Sequence, residues 1–202
     1  MAAASSKVEL RVLRQDALDK PASRRWEEFE VERRADMTVH DCLEVIRRRP
    51  ITTSGEEVAP VVWEASCLEE TCGACTMRIQ GKVAHACSTF IDRVSPKGQR
   101  VTLEPLSKFP VERDLAVDRT RMFQSLTKVK AWVRLDASVN AAPPESPEVQ
   151  RVRYAMSPCI ACGACLAACP EYHEAGPFLG AAAINEGRLK KLHPDAALVR
   201  RT

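Results

Sequence analysis

Apolar and polar residues alternate from Lys7 to Arg14, with Val8, Leu10 and Val12 on one side and Lys7, Glu9 and Arg11 on the other. A period of two is the mark of a half-buried strand. Residues 15–25 carry Asp19, Pro21 and Ser23 and read as a long turn. Alternation resumes over 26–32, where Phe29 and Val31 oppose Glu28, Glu30 and Glu32. The period then changes: Val39, Cys42, Leu43 and Ile46 fall at i, i+3, i+4, i+7, which predicts a helix. Thr38 is its N-cap, Asp41 follows three residues on, and Pro50 stops it. Residues 76–80, a turn at Gly81-Lys82 and residues 83–86 predict a hairpin, and Val101 and Leu103 a closing strand. From Asp118 the spacing is helical: Met122, Leu126, Val129 and Val133 make a stripe flanked by Phe123 and Trp132. Residues 136–148, with Pro143, Pro144 and Pro147, read as a connecting loop, and short helices are expected at 149–156 and 181–192. The pattern therefore predicts a small α+β module followed by a helical one, with the boundary near residues 105–115. No internal repeat is visible.

Composition narrows the function classes. A chain of 202 residues has room for one large or two small domains. Its net charge of +3 is too small to imply nucleic acid. The basic clusters Arg24-Arg25, Arg33-Arg34 and Arg47-Arg48-Arg49 are short and flanked by acids, so they read as solvated faces or docking patches. No apolar run approaches the roughly 20 residues that cross a bilayer. The opening Met1-Ala2-Ala3-Ala4-Ser5-Ser6-Lys7 lacks the features of a secretory signal or a transit segment. The expectation is a bacterial cytoplasmic protein whose membrane role comes through another subunit.

Candidate chemistry lies in the cysteines. Eight of the nine form two compact groups at metal-ligand spacing, which in a reducing compartment reads as metal or cluster binding rather than disulfides. Cys42 stands apart on the helical stripe and reads as a buried core residue. Cys67, Cys72 and Cys75 are spaced C-x4-C-x2-C, and Cys87 follows on the predicted hairpin. That is the plant-type 2Fe–2S arrangement, with Gly73 permitting close approach of the backbone. Four cysteines also bind zinc, but zinc modules usually pair two C-x2-C knuckles. A Rieske centre needs two His in place of two Cys, and all four thiols are present, so His85 is not expected to be a ligand.

Cys159, Cys162, Cys165 and Cys169-Pro170 form the C-x2-C-x2-C-x3-C-P run of bacterial ferredoxins. Three of these thiols supply corners of a 4Fe–4S cube, and the fourth turns to a different cluster. No further cysteine follows Cys169, so the helical module is expected to be incomplete at its C-terminus. A single cluster that uses Cys169 as its fourth ligand is the alternative.

Taken in order, these motifs resemble the iron–sulfur subunit of succinate dehydrogenase and fumarate reductase over essentially the whole chain. The resemblance is carried by Ser66-Cys67-Leu68-Glu69-Glu70-Thr71-Cys72-Gly73-Ala74-Cys75-Thr76-Met77, by Phe109-Pro110-Val111-Glu112-Arg113-Asp114-Leu115-Ala116-Val117-Asp118, and by residues 159–170. Residues 122–132, Met-Phe-Gln-Ser-Leu-Thr-Lys-Val-Lys-Ala-Trp, are similar to the menaquinone-reactive branch with a dihaem anchor.

The resemblance implies a β-grasp 2Fe–2S domain over 7–110 and an all-α ferredoxin-like domain over 111–202. It implies that Cys67, Cys72, Cys75 and Cys87 hold 2Fe–2S, that Cys159, Cys162 and Cys165 hold 4Fe–4S, and that Cys169 holds 3Fe–4S. It further implies a flavoprotein partner with FAD, an integral membrane cytochrome b anchor with haem, a nearby quinone, and residence at the cytoplasmic face of the bacterial inner membrane. The ubiquinone-reactive members have a Trp shortly after Cys-Pro; here Glu171-Tyr172-His173 follows, which fits the menaquinone branch. His173 is a surface histidine or a proton-handling group near quinone. The expected role is one-electron relay from flavin to quinone, with the direction, succinate oxidation or fumarate reduction, left open. The iron–sulfur subunit of another flavin oxidoreductase and a zinc-binding module are the remaining readings.

Overall fold

The computed structural model describes residues 7–132, 145–173 and 176–192. The chain divides into two compact units, Met1–Asp118 and Arg119–Thr202.

In the first unit the alternating segments become β1 (Lys7–Arg14) and β2 (Arg25–Glu32), paired antiparallel with Leu10 opposite Phe29. Helix α1 (Val39–Arg48) follows. Thr38 Oγ1 accepts from the Asp41 amide at 3.2 Å while the Asp41 carboxylate accepts from the Thr38 amide at 2.8 Å, a reciprocal cap. Strands β3 (Thr76–Ile79) and β4 (Lys82–His85) form the hairpin, and after the short α2 (Ile91–Val94) β5 (Val101–Glu104) closes the sheet. The order is β2-β1-β5-β3-β4, with β5 parallel to β1 and antiparallel to β3. Val8, Leu10, Val12, Phe29 and Val31 meet Val39, Cys42, Leu43 and Ile46 in one buried core. Cys42 is fully buried, as expected of a core cysteine, and burial pushes its thiol up to about 12.

Strands β6 (Val111–Arg113) and β7 (Ala116–Val117) form a small separate pair. Asp114 between them is buried and ties the pair to the start of the chain. Its Oδ1 accepts from Arg14 Nε at 2.8 Å and from the Gln15 amide at 3.2 Å, and its Oδ2 from the Val62 amide at 2.9 Å. Residues 111–118 therefore fold with the first unit.

The second unit holds α3 (Thr120–Lys128), α4 (Pro147–Met156), α5 (Ala164–Ala168) and α6 (Ala181–Lys191). Helix α3 ends before the apolar stripe does. Lys130 is left-handed (φ 52), and the Ala131 and Lys130 amides return to the Leu126 and Thr127 carbonyls. That reverse closure terminates a helix whatever its apolar spacing. Val133 and the expected loop through residue 144 lie outside the described residues. The end of that loop is helical instead, because Ser146 caps α4 and Pro147 occupies its first turn. Mixed sheet and helices together make the chain α+β. Among the described residues no helix is long and apolar enough to cross a membrane.

Candidate metal centres

None of the nine cysteines is in a disulfide. The first group lies on the loop from Cys67 into β3 and just beyond β4. Leu68 (φ 60), Glu70 (φ 61) and Gly73 (φ 72) all take left-handed backbone conformations. Such left-handed residues interleaved with residues of negative φ turn nearby amides to one side, a concavity that attracts anions. The amides of Glu69, Thr71 and Cys72 donate to Cys67 Sγ at 3.4, 3.3 and 3.3 Å, and the Ala74 amide donates to Cys72 Sγ at 3.4 Å. The Thr71 side chain and the Glu69 amide lead in holding the Cys67 thiol down to about 6.

Cys75 immediately precedes β3, and the Ala86 amide donates to its carbonyl at 3.1 Å, which sets Cys87 beside it. The Ala86 and Thr89 carbonyls accept from the His40 and Val39 amides at 3.0 and 2.9 Å. The otherwise unpaired first-turn amides of α1 thus clamp the segment that carries Cys87. Burial, then a hydrogen bond with Cys75, pushes the Cys87 thiol up to about 11, and the charge of Cys67 adds to this. The structure therefore gathers Cys67, Cys72, Cys75 and Cys87 on one side of the sheet end. His85 Nδ1 lies 3.1 Å from Glu70 Oε1, linking the ligand loop to β4.

In the second unit Ala161 (φ 49) and Gly163 (φ 85) turn the chain into α5. Cys159 and Cys165 both feel the charge of Cys162, so these three thiols lie together. Burial raises both thiols, opposed by amide hydrogen bonds from Ala161 to Cys159 and from Ala182 to Cys165. Glu186 on α6 also raises Cys159. Cys169 leaves the end of α5, its amide bonded to the Cys165 carbonyl at 3.1 Å. His173 is exposed, and its carbonyl and that of Gly176 accept from Arg121, which stacks on the buried Tyr172 ring at 4.7 Å.

Among the described residues no three Cys, His, Asp or Glu side chains gather around a point as a single metal ion would require. A polynuclear cluster spreads its thiolates over several irons and carries net negative charge, which the inward amides of the first loop suit. Spacing announced the eight thiols. It gave no sign of the donor amides, of Glu186 or of the Glu70–His85 link. Asp114 lies within the 109–118 motif, but its structural duty is not legible from sequence.

Residues 9–124 match the family described as a 2Fe-2S iron-sulfur cluster binding domain. The succinate dehydrogenase iron-sulfur subunit of Bacillus subtilis (strain 168) is 43% identical over 189 residues, 93% of this chain and 73% of that protein. The fumarate reductase iron-sulfur subunit of Wolinella succinogenes is 31% identical over 180 residues, 85% of this chain and 68% of that protein. That of Haemophilus influenzae is 36% identical over 132 residues, 59% of this chain and 50% of its own length. Among solved structures, a chain of the Mycobacterium smegmatis Sdh1 complex in the apo form aligns with a TM-score of 0.76 at 21% identity, covering 95% of this chain and 77% of that one.

Proposed function

The chain belongs to the family of succinate dehydrogenase and fumarate reductase iron–sulfur subunits, and we propose that its eight grouped thiols seat a series of clusters between a flavin and a quinone. It is the electron-transfer subunit of such an oxidoreductase. We assign Cys67, Cys72, Cys75 and Cys87 to 2Fe–2S, Cys159, Cys162 and Cys165 to 4Fe–4S, and Cys169 to 3Fe–4S, the last two clusters completed by ligands beyond these four thiols. The sheet order with α1 across one face supports a β-grasp plan for the first unit, and the helices support a ferredoxin-like plan for the second.

When bound, the clusters supply one-electron redox chemistry. The residues of the chain hold and tune them. The Glu69, Thr71 and Cys72 amides neutralise charge at Cys67, and the α1 amides fix the segment that carries Cys87. In the proposed assembly FAD lies in a flavoprotein partner. The partner on the other side is a membrane cytochrome b with haem and menaquinone or another quinone, at the cytoplasmic face of the inner membrane.

The convergence of three amides on Cys67 Sγ carries this reading, because it provides for an anionic sulfur with backbone donors. Cys72→Ser in the assembled complex tests it. Succinate-to-quinone transfer should fall at least about tenfold, with succinate oxidation by an artificial flavin-level acceptor largely retained. An unchanged quinone rate would remove Cys72 from the relay.

A further inference from the structure

Strand β2 ends the sheet, and its outer edge is only partly used. The Thr53 amide donates to the Glu28 carbonyl at 2.9 Å, so the loop after α1 begins a sixth strand and then leaves it. Backbone groups alternate sides along a strand, so Glu30 and Glu32 present their N–H and C=O groups outward, in line with Glu28. Among the described residues these groups have no hydrogen-bond partner. Beside them lies a groove of about 700 Å³, lined by Val45 and Ile46 and by the charged Glu30, Glu32, Arg34, Arg48 and Arg49 among others.

We propose that this groove takes an extended acidic segment of a partner protein, which adds to β2 as a strand. Charge selects the occupant. Lys7 pairs with Glu30, and Arg11 and Arg100 with Glu28, whereas the exposed Arg34, Arg48 and Arg49 have no salt bridge among the described residues and outnumber the one acid of the groove left without one, Glu32. A second copy of the chain does not fit, because antiparallel pairing of β2 with itself about Glu30 sets the Glu28, Glu30 and Glu32 row against the same row of the copy. The added strand would meet the unused ladder groups with its backbone and Arg48 and Arg49 with its carboxylates, a recognised mode of peptide capture. The groove borders the edge strand opposite β4, which leads to Cys87, so it is separate from the cluster ligands.

The test uses the full chain with 2Fe–2S seated in its first unit and a fluorescein-labelled peptide, Thr-Val-Thr-Asp-Thr-Val-Thr-Asp, read by anisotropy. Saturable binding is expected, weakened about tenfold or more by Arg48→Glu with Arg49→Glu and by replacing both Asp with Lys, and lost when alternate peptide amides are N-methylated. Both arginines are exposed, so the variants should fold; an unchanged cluster absorption spectrum checks this. No saturable binding, binding indifferent to N-methylation, equal binding of the Lys peptide, or a dimer that the peptide dissociates would each overturn the proposal.

Discussion

Cys67 and Cys87 face the same seat yet are driven apart, one thiol held down to about 6 by hydrogen-bond donors and the other pushed up to about 11 by burial. In the cluster-free chain at about pH 7.5, Cys67 is then mostly thiolate and Cys87 almost wholly thiol. The lower intrinsic nucleophilicity of a low-pKa thiolate offsets part of this, leaving Cys67 about tenfold faster toward iodoacetamide. Its rate should fall as pH drops through about 6, while Cys87 should gain rate up to about pH 11 and the buried Cys42 should react last. Peptide mass mapping of timed alkylation measures all three. Asp114 is the other decisive residue: it and Arg14 are each 1% exposed, with Arg14 also held by Glu27 and by the Ala59 carbonyl at 2.9 Å. Asp114→Asn leaves a buried guanidinium without one of its carboxylates and should cost about 3–5 kcal/mol, read as an earlier urea midpoint for loss of the first unit's structure. Thiols are visible at this scale because their spacing is chemistry. The donor amides are not, because their direction depends on left-handed backbone at Leu68 and Glu70, neither of them glycine.

The strands and helices divide by how much of their fate is local. Strands β1 and β2 and helix α1 were plain from periodicity, since one face of each meets the common core. Helix α5 leaves no periodic signal because it occupies only Ala164–Ala168, inside the cysteine run, and β6 and β7 leave none because so short a pair is set by Asp114 rather than by pattern. The turn into α6 is equally invisible in a one-dimensional reading. Gly180 sits at φ +89, and a Cβ there would stand 2.0 Å from Leu166 Cδ2 and 3.3 Å from Tyr172. Gly180→Ala should therefore destabilise the second unit by roughly 1–3 kcal/mol from overpacking alone, with left-handed strain added. Gly55→Ala is the control: its φ is similar at +84, but nothing lies within 4 Å of the added carbon. Limited proteolysis followed by mass spectrometry should show the second unit cut faster in the first variant and unchanged in the other.

At the scale of the molecule, each compact unit carries its own group of thiols, proposed above as ligands: Cys67, Cys72, Cys75 and Cys87 in the first, Cys159, Cys162, Cys165 and Cys169 in the second. The two-module plan was readable from the switch of period near Asp118, because strands and helices bury their faces at different spacings. Residues 111–118 were harder to place, since a buried carboxylate rather than an apolar pattern holds them to β1. The central claim is that the first unit seats 2Fe–2S with its own four thiols, independently of the second. It is tested most directly by the electron paramagnetic resonance spectrum of the dithionite-reduced chain carrying Cys87→Ala. The expected result is loss of the 2Fe–2S signal, and its retention in the chain that carries Cys159→Ala instead. A 2Fe–2S signal that survives, or a colourless chain that holds zinc on these thiols, would contradict it.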